Sequence, residues 1–113
     1  MRTVTLMISS REKLSRRFLR AMKGERQETV ISFESPALLF KVLTGKRWEL
    51  LKLMTGAGPI TIREAARRSG RDVKAVHSDV HMLLNTGILQ KTDNGRIHFP
   101  FDAVHVNFIL KAA

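Results

Sequence analysis

Ile60-Thr61-Ile62-Arg63-Glu64-Ala65-Ala66-Arg67-Arg68-Ser69-Gly70-Arg71-Asp72, continuing as Val73-Lys74-Ala75-Val76-His77-Ser78-Asp79-Val80-His81-Met82-Leu83-Leu84-Asn85, is the stretch on which the fold turns. Thr61 and Glu64 stand at capping-box spacing: the Thr hydroxyl can accept from the Glu64 amide while the Glu64 carboxylate reaches back to the Thr61 amide. Gly70 stops that helix. A second helix runs from about Asp72 to Asn85, with Asp72 as its cap and Gly87 placed to end it in the left-handed conformation. Ile88-Leu89-Gln90-Lys91, Thr92-Asp93-Asn94-Gly95 and Arg96-Ile97-His98-Phe99 then read as strand, turn and strand. Short alternating runs around Asn-Gly are a strong hairpin signal. Together these elements predict a helix-turn-helix followed by a β-hairpin wing.

At 100° per residue, Val73, Val76, Val80, Leu83 and Leu84 share one apolar arc, the face expected to bury. The opposite face offers Lys74, Ala75, Ser78, His81, Met82 and Asn85, with Arg71 just ahead of the helix. These short or polar side chains can approach base edges and phosphates, and no acid lies at the centre of the face. Asp79 falls on one flank. His77 falls on the other, where both DNA contact and half-buried packing remain open readings. Arg71, Lys74, Ala75, His77, Ser78 and His81 are therefore candidates for the groove. Lys91, Asn94 and Arg96 at the wing would reach adjacent phosphates or the minor groove. Arg63, Arg67, Lys46 and Arg47 would act as backbone clamps.

The composition is consistent with this reading. The 113 residues carry 20 Lys and Arg against 10 Asp and Glu, a formal charge of +10, which favours polyanionic partners and double-stranded DNA first. Fifteen of the basic side chains lie at or before residue 70, so positive charge concentrates ahead of the second helix. That division suits backbone contacts that set affinity and a less charged helix that reads sequence. A hydrophobic content of 43% is ordinary for a compact domain. With no cysteine there are no disulfides, Cys-based zinc sites or thiol nucleophile, as suits a reducing cytoplasm. The apolar run at the N-terminus is too short for a signal peptide or a membrane span, and a cytoplasmic location is expected.

Ahead of the helix pair, residues 3–8 alternate Val4, Leu6 and Ile8 inward, and residues 28–33 repeat a strand pattern. Between them, residues 11–22 read as a basic amphipathic helix. Ser35-Pro36 starts a largely apolar helix through Leu43, and Lys46–Thr55 follows with Trp48 as a packing anchor. Beyond Pro100-Phe101-Asp102, residues 103–110 form a last strand. Isolated strands leave backbone groups unmet, so the three outer segments are expected to share a sheet, within one chain or across two. The expected fold class is α+β: a winged helix-turn-helix over residues 35–100, a strand-helix-strand extension over 1–34 serving as dimerisation or partner surface, and a C-terminal strand over 101–113.

Val42-Leu43-Thr44-Gly45-Lys46-Arg47-Trp48-Glu49-Leu50-Leu51, Arg63-Glu64-Ala65-Ala66-Arg67-Arg68, Val76-His77-Ser78-Asp79-Val80 and Gly95-Arg96-Ile97-His98-Phe99-Pro100-Phe101-Asp102 resemble phrases of a group of compact archaeal and bacterial winged-helix transcriptional regulators, distantly similar to the MarR and ArsR groups. The resemblance implies a winged fold, a recognition helix over residues 72–86 and DNA as partner. Some members of that group are regarded as antitoxins, which brings in a toxin as a further partner to consider.

No Gly-rich phosphate loop, nucleophile motif or paired carboxylates suggest an enzyme, and no cofactor is expected. His77 and His81 stand four apart, a spacing that can place two imidazoles on one metal, which keeps a metal-sensing repressor as an alternative. Both lie beside the surface expected to meet DNA, so groove contact is preferred and no metal site is assigned. The leading expectation is a sequence-specific dimeric transcriptional regulator, a repressor, with an autoregulating antitoxin or protein-binding adaptor as the alternative.

Overall fold

The computed structural model describes residues 2–8 and 29–109. Its fold is α+β, with four helices and two small sheets among the described residues. Strands β1 (Thr3–Ile8), β2 (Thr29–Phe33) and β5 (Ala103–Asn107) form one parallel sheet in the order β2-β1-β5, with Val4 opposite both Thr29 and Val104. The three outer segments thus share a sheet within one chain. Being central, β1 is covered on both faces: Thr5, read as outward from its alternation, is buried together with Val4 and Leu6. Two hydrogen bonds tie the starts of β1 and β5 together, as the Arg2 amide donates to the Asp102 side chain at Oδ2 (2.8 Å) and the Asp102 amide to the Arg2 carbonyl (2.7 Å).

Helix α1 (Pro36–Val42) begins where Ser35 accepts from the Leu38 amide and Pro36 supplies the fixed φ of a first turn. Thr44 caps α2 (Gly45–Met54) by accepting from the Arg47 amide. Thr61 caps α3 (Ile62–Ser69) through the Glu64 amide at 3.0 Å, and Asp72 caps α4 (Val73–Thr86) through the Lys74 amide. Gly70 sits between α3 and α4 at φ 67°, a left-handed conformation that a side chain would strain. Only half of the expected capping box forms. The Glu64 carboxylate does not return to Thr61 but takes Arg67 and Arg68, because two guanidiniums one turn away offer stronger, charge-assisted bonds. Thr61→Ala is expected to cost about 1 kcal/mol, read as a lower urea midpoint at unchanged slope.

After α4, β3 (Gln90–Lys91) pairs antiparallel with β4 (Ile97–His98), closed by a Thr92–Gly95 turn. Ile60 and Ile97 exchange two backbone bonds of 2.9 and 2.7 Å, which fasten the hairpin to the chain just ahead of α3. One apolar core joins these parts: Leu6 and Phe33 from the sheet, Leu39, Leu50 and Met54 from α1 and α2, Val76, Val80 and Leu83 from α4, and Ile88, Ile97 and Phe99 around the hairpin.

Three packing expectations need correction. Val73 opens α4 and is exposed, so the buried arc of that helix begins at Val76. Trp48 is 38% exposed and Phe40 59%, so α1 and the start of α2 present an apolar strip outward instead of filling the core. Core volume there is taken by Leu39, Leu50, Leu51 and Met54. The amphipathic helix read over residues 11–22 lies outside the described residues, as do most of the 1–34 extension and residues 110–113. No helix among the described residues is long and apolar enough to cross a membrane.

Candidate functional site

Helix α4 turns Val76, Val80 and Leu83 into the core and leaves Lys74, Ala75, His77, Ser78, His81 and Asn85 exposed. All but one of the groove candidates therefore lie on its open face. His77 is exposed, which removes the half-buried packing reading. Its Nε2 lies 3.1 Å from Nε2 of His81, with ring centroids 4.2 Å apart. Lys91, Asn94 and Arg96 are exposed around the hairpin turn, where Thr92 Oγ1 accepts from the Arg96 amide. Lys46, Arg63 and Arg67 are also exposed.

Arg47 and Arg71 stand apart from these. Asp79, on the flank of α4, is buried and joins them both: Arg47 Nε donates to Oδ1 at 3.0 Å and Arg71 Nη2 to Oδ2 at 2.7 Å. Arg47 also donates through Nη1 to the carbonyls of Lys41 and Val42, the open end of α1. One carboxylate thus locks α2 and the turn between α3 and α4 onto the middle of α4. The guanidiniums expected to clamp a backbone and enter a groove are engaged within the fold. The sequence did hold a signal for this. An acid between Val76 and Val80, on the border of an apolar arc, needs a cation inside the fold, because a buried unpaired carboxylate is costly.

On α3, Arg67 and Arg68 both bond Glu64. The Arg67 guanidinium, then that of Arg68, holds the Glu64 carboxyl well below the usual carboxylate range, at about 2, and the same contact raises Arg67. The cluster thus keeps a net positive charge at any physiological pH. Between α2 and α3, Lys46, Lys52, Arg68 and Arg71 line an open cavity of about 630 Å³ over Leu50 and Leu53, with Glu49 as its one acid. The lining is thus strongly cationic.

A family model, HVO_A0114, matches residues 42–106, more than half of the chain. The chain belongs to the HVO_A0114 family. No curated protein and no solved structure matches it. The HVO_A0114 match starts at the last residue of α1 and ends inside β5. It takes in the Arg47–Asp79–Arg71 lock, the open face of α4 and the hairpin, and leaves β1 and β2 outside.

Proposed function

We propose that the chain is a winged helix-turn-helix transcriptional regulator, a repressor that binds double-stranded DNA as a dimer, with α4 in the major groove and the β3–β4 hairpin as the wing. The observation that carries this reading is the open face of α4. It is a helical surface of Lys74, Ala75, His77, Ser78, His81 and Asn85 without an acid, and Arg63 and Arg67 on α3 and Lys91, Asn94 and Arg96 at the hairpin are exposed as well. Small and hydrogen-bonding side chains can meet base edges, while the exposed cations meet phosphates. The Asp79 lock supports the reading as well, because a helix that reads bases must be held in a fixed orientation. Arg47 and Arg71 become positioning residues in this scheme. Lys46, Arg63 and Arg67 remain the backbone contacts.

A dimer is supported by the outward strip of Leu38, Phe40, Trp48 and Val106 beside the edge strand β5. Exposed apolar strips of this kind fit a protein interface, and a two-fold pair doubles the short site one helix can read. The test is fluorescence-anisotropy binding to DNA just upstream of the protein's own gene, against a scrambled duplex of equal composition. A preference of about a thousandfold or more at physiological salt is expected. Equal affinity for both duplexes would reduce the function to sequence-independent coating, and no binding would overturn it.

A further inference from the structure

The histidine pair on α4 carries an inference beyond DNA binding. His77 and His81 are both exposed, and their Nε2 atoms face each other at 3.1 Å on one helical face. Two neutral imidazoles in this contact share one proton, one ring donating and the other accepting. A metal ion at the usual 2.0–2.1 Å from each nitrogen would close an N–metal–N angle of about 100° across that gap. Such an angle lies between the square and the tetrahedral values, so the spacing of the two nitrogens suits one metal once each ring turns its Nε2 lone pair from the other ring toward the ion. The shared proton moves to Nδ1 of its own ring, leaving both Nε2 lone pairs for the metal and no net change in protonation.

We propose that His77 and His81 form a binding site for one divalent ion of the later first transition row, Cu²⁺, Ni²⁺ or Zn²⁺. Two imidazoles without a carboxylate select these borderline ions over Mg²⁺ and Ca²⁺, which require oxygen ligands. The nearest acid on the helix, Asp79, is held by Arg47 and Arg71 and faces the core. The remaining coordination positions therefore point to solvent and fill with water. Helix α4 supplies the preorganisation, since residues four apart stay stacked while it is formed. On the reading that this face enters the major groove, the occupied site puts a hydrated dication where His77 and His81 would meet bases. Metal binding and DNA reading then exclude each other.

The first experiment needs no DNA. Zn²⁺ is titrated calorimetrically into the full chain, into His77→Gln and His81→Gln, and into His105→Gln as a control on an exposed histidine elsewhere. One equivalent is expected to bind the parent chain and the control. Either α4 substitution should weaken binding at least about tenfold, because the second imidazole acts at high effective concentration. The α4 variants change exposed side chains, and matching thermal melts verify that they fold. Failure to saturate by about 1 mM Zn²⁺, or equal binding in all four proteins, would overturn the site. In a second arm, saturating Zn²⁺ is added to a preformed protein–duplex complex. Release of the parent chain by Zn²⁺ but not by an equal concentration of Mg²⁺, reversed on adding a chelator, is the expected result. Retention in Zn²⁺, or equal release by Mg²⁺, would overturn the exclusion while leaving the site intact, and the first arm stands whether or not the duplex binds.

Discussion

Asp79→Ala is expected to destabilise the fold by about 3–5 kcal/mol, the range seen when one partner of a buried ion pair is removed. The carboxylate is 9% exposed as a residue and receives one bond from each of two guanidiniums. Its removal strands Arg47 and Arg71, whose side chains are 14% and 22% exposed, among core residues without a counter-charge. Asp79→Asn should come close to the alanine value, since a neutral amide cannot accept from both arginines with both of its heteroatoms. Arg47→Met should cost more than Arg71→Met, because Arg47 also satisfies the Lys41 and Val42 carbonyls. If stranded charge is the cause, the triple variant Arg47→Met, Asp79→Leu, Arg71→Met should be more stable than Asp79→Ala alone. Equilibrium urea unfolding monitored by circular dichroism measures all of these. A loss below about 1 kcal/mol for Asp79→Ala would place the triad among exposed pairs of little energetic weight.

Asp79 also marks the limit of what the sequence discloses. The helix starts and stops between Thr61 and Gly87 are written in local chemistry, in one capping side chain or one left-handed glycine each, so they are legible without knowledge of the fold. The hairpin is legible for the same reason, through Asn94-Gly95. Core residues on α4 follow from period, and Val76, Val80 and Leu83 are all buried. Long-range partners leave no such local trace. Arg47 and Asp79 are 32 positions apart, and nothing near either residue announces the other. Exposed cations and internally paired ones are identical letters, which is why Arg47 and Arg71 read as DNA contacts. Trp48 and Phe40 mislead in a related way. Hydrophobicity predicts burial only if something covers the side chain, and α1 meets solvent where its apolar pattern predicts a neighbour. The parallel order β2-β1-β5 also depends on tertiary geometry, as strand alternation specifies a face and not a direction.

On the proposed DNA-binding function, the distinction between paired and open cations has a measurable consequence. Lys46, Arg63, Lys74, Lys91 and Arg96 form no ion pair among the described residues, and the Glu64, Arg67 and Arg68 cluster adds one net charge. With each of these six charges neutralising one phosphate, log Kobs should fall against log salt with a slope of about −5 per protomer. Raising salt from about 50 to about 200 mM should then weaken binding by about a thousandfold. If Arg47 and Arg71 left Asp79 to meet phosphates, the slope would steepen to about −7. Arg96→Ala and Lys74→Ala should each flatten it by about one unit if they touch phosphate. Arg71→Met should instead lower affinity at unchanged slope, since it loosens the seat of α4 without removing a phosphate contact. The six-charge value with an unchanged Arg71→Met slope would establish that the lock persists on DNA. A slope near −7 that flattens in Arg71→Met would show that the triad opens on binding, with DNA phosphates replacing Asp79 as the partner of both arginines.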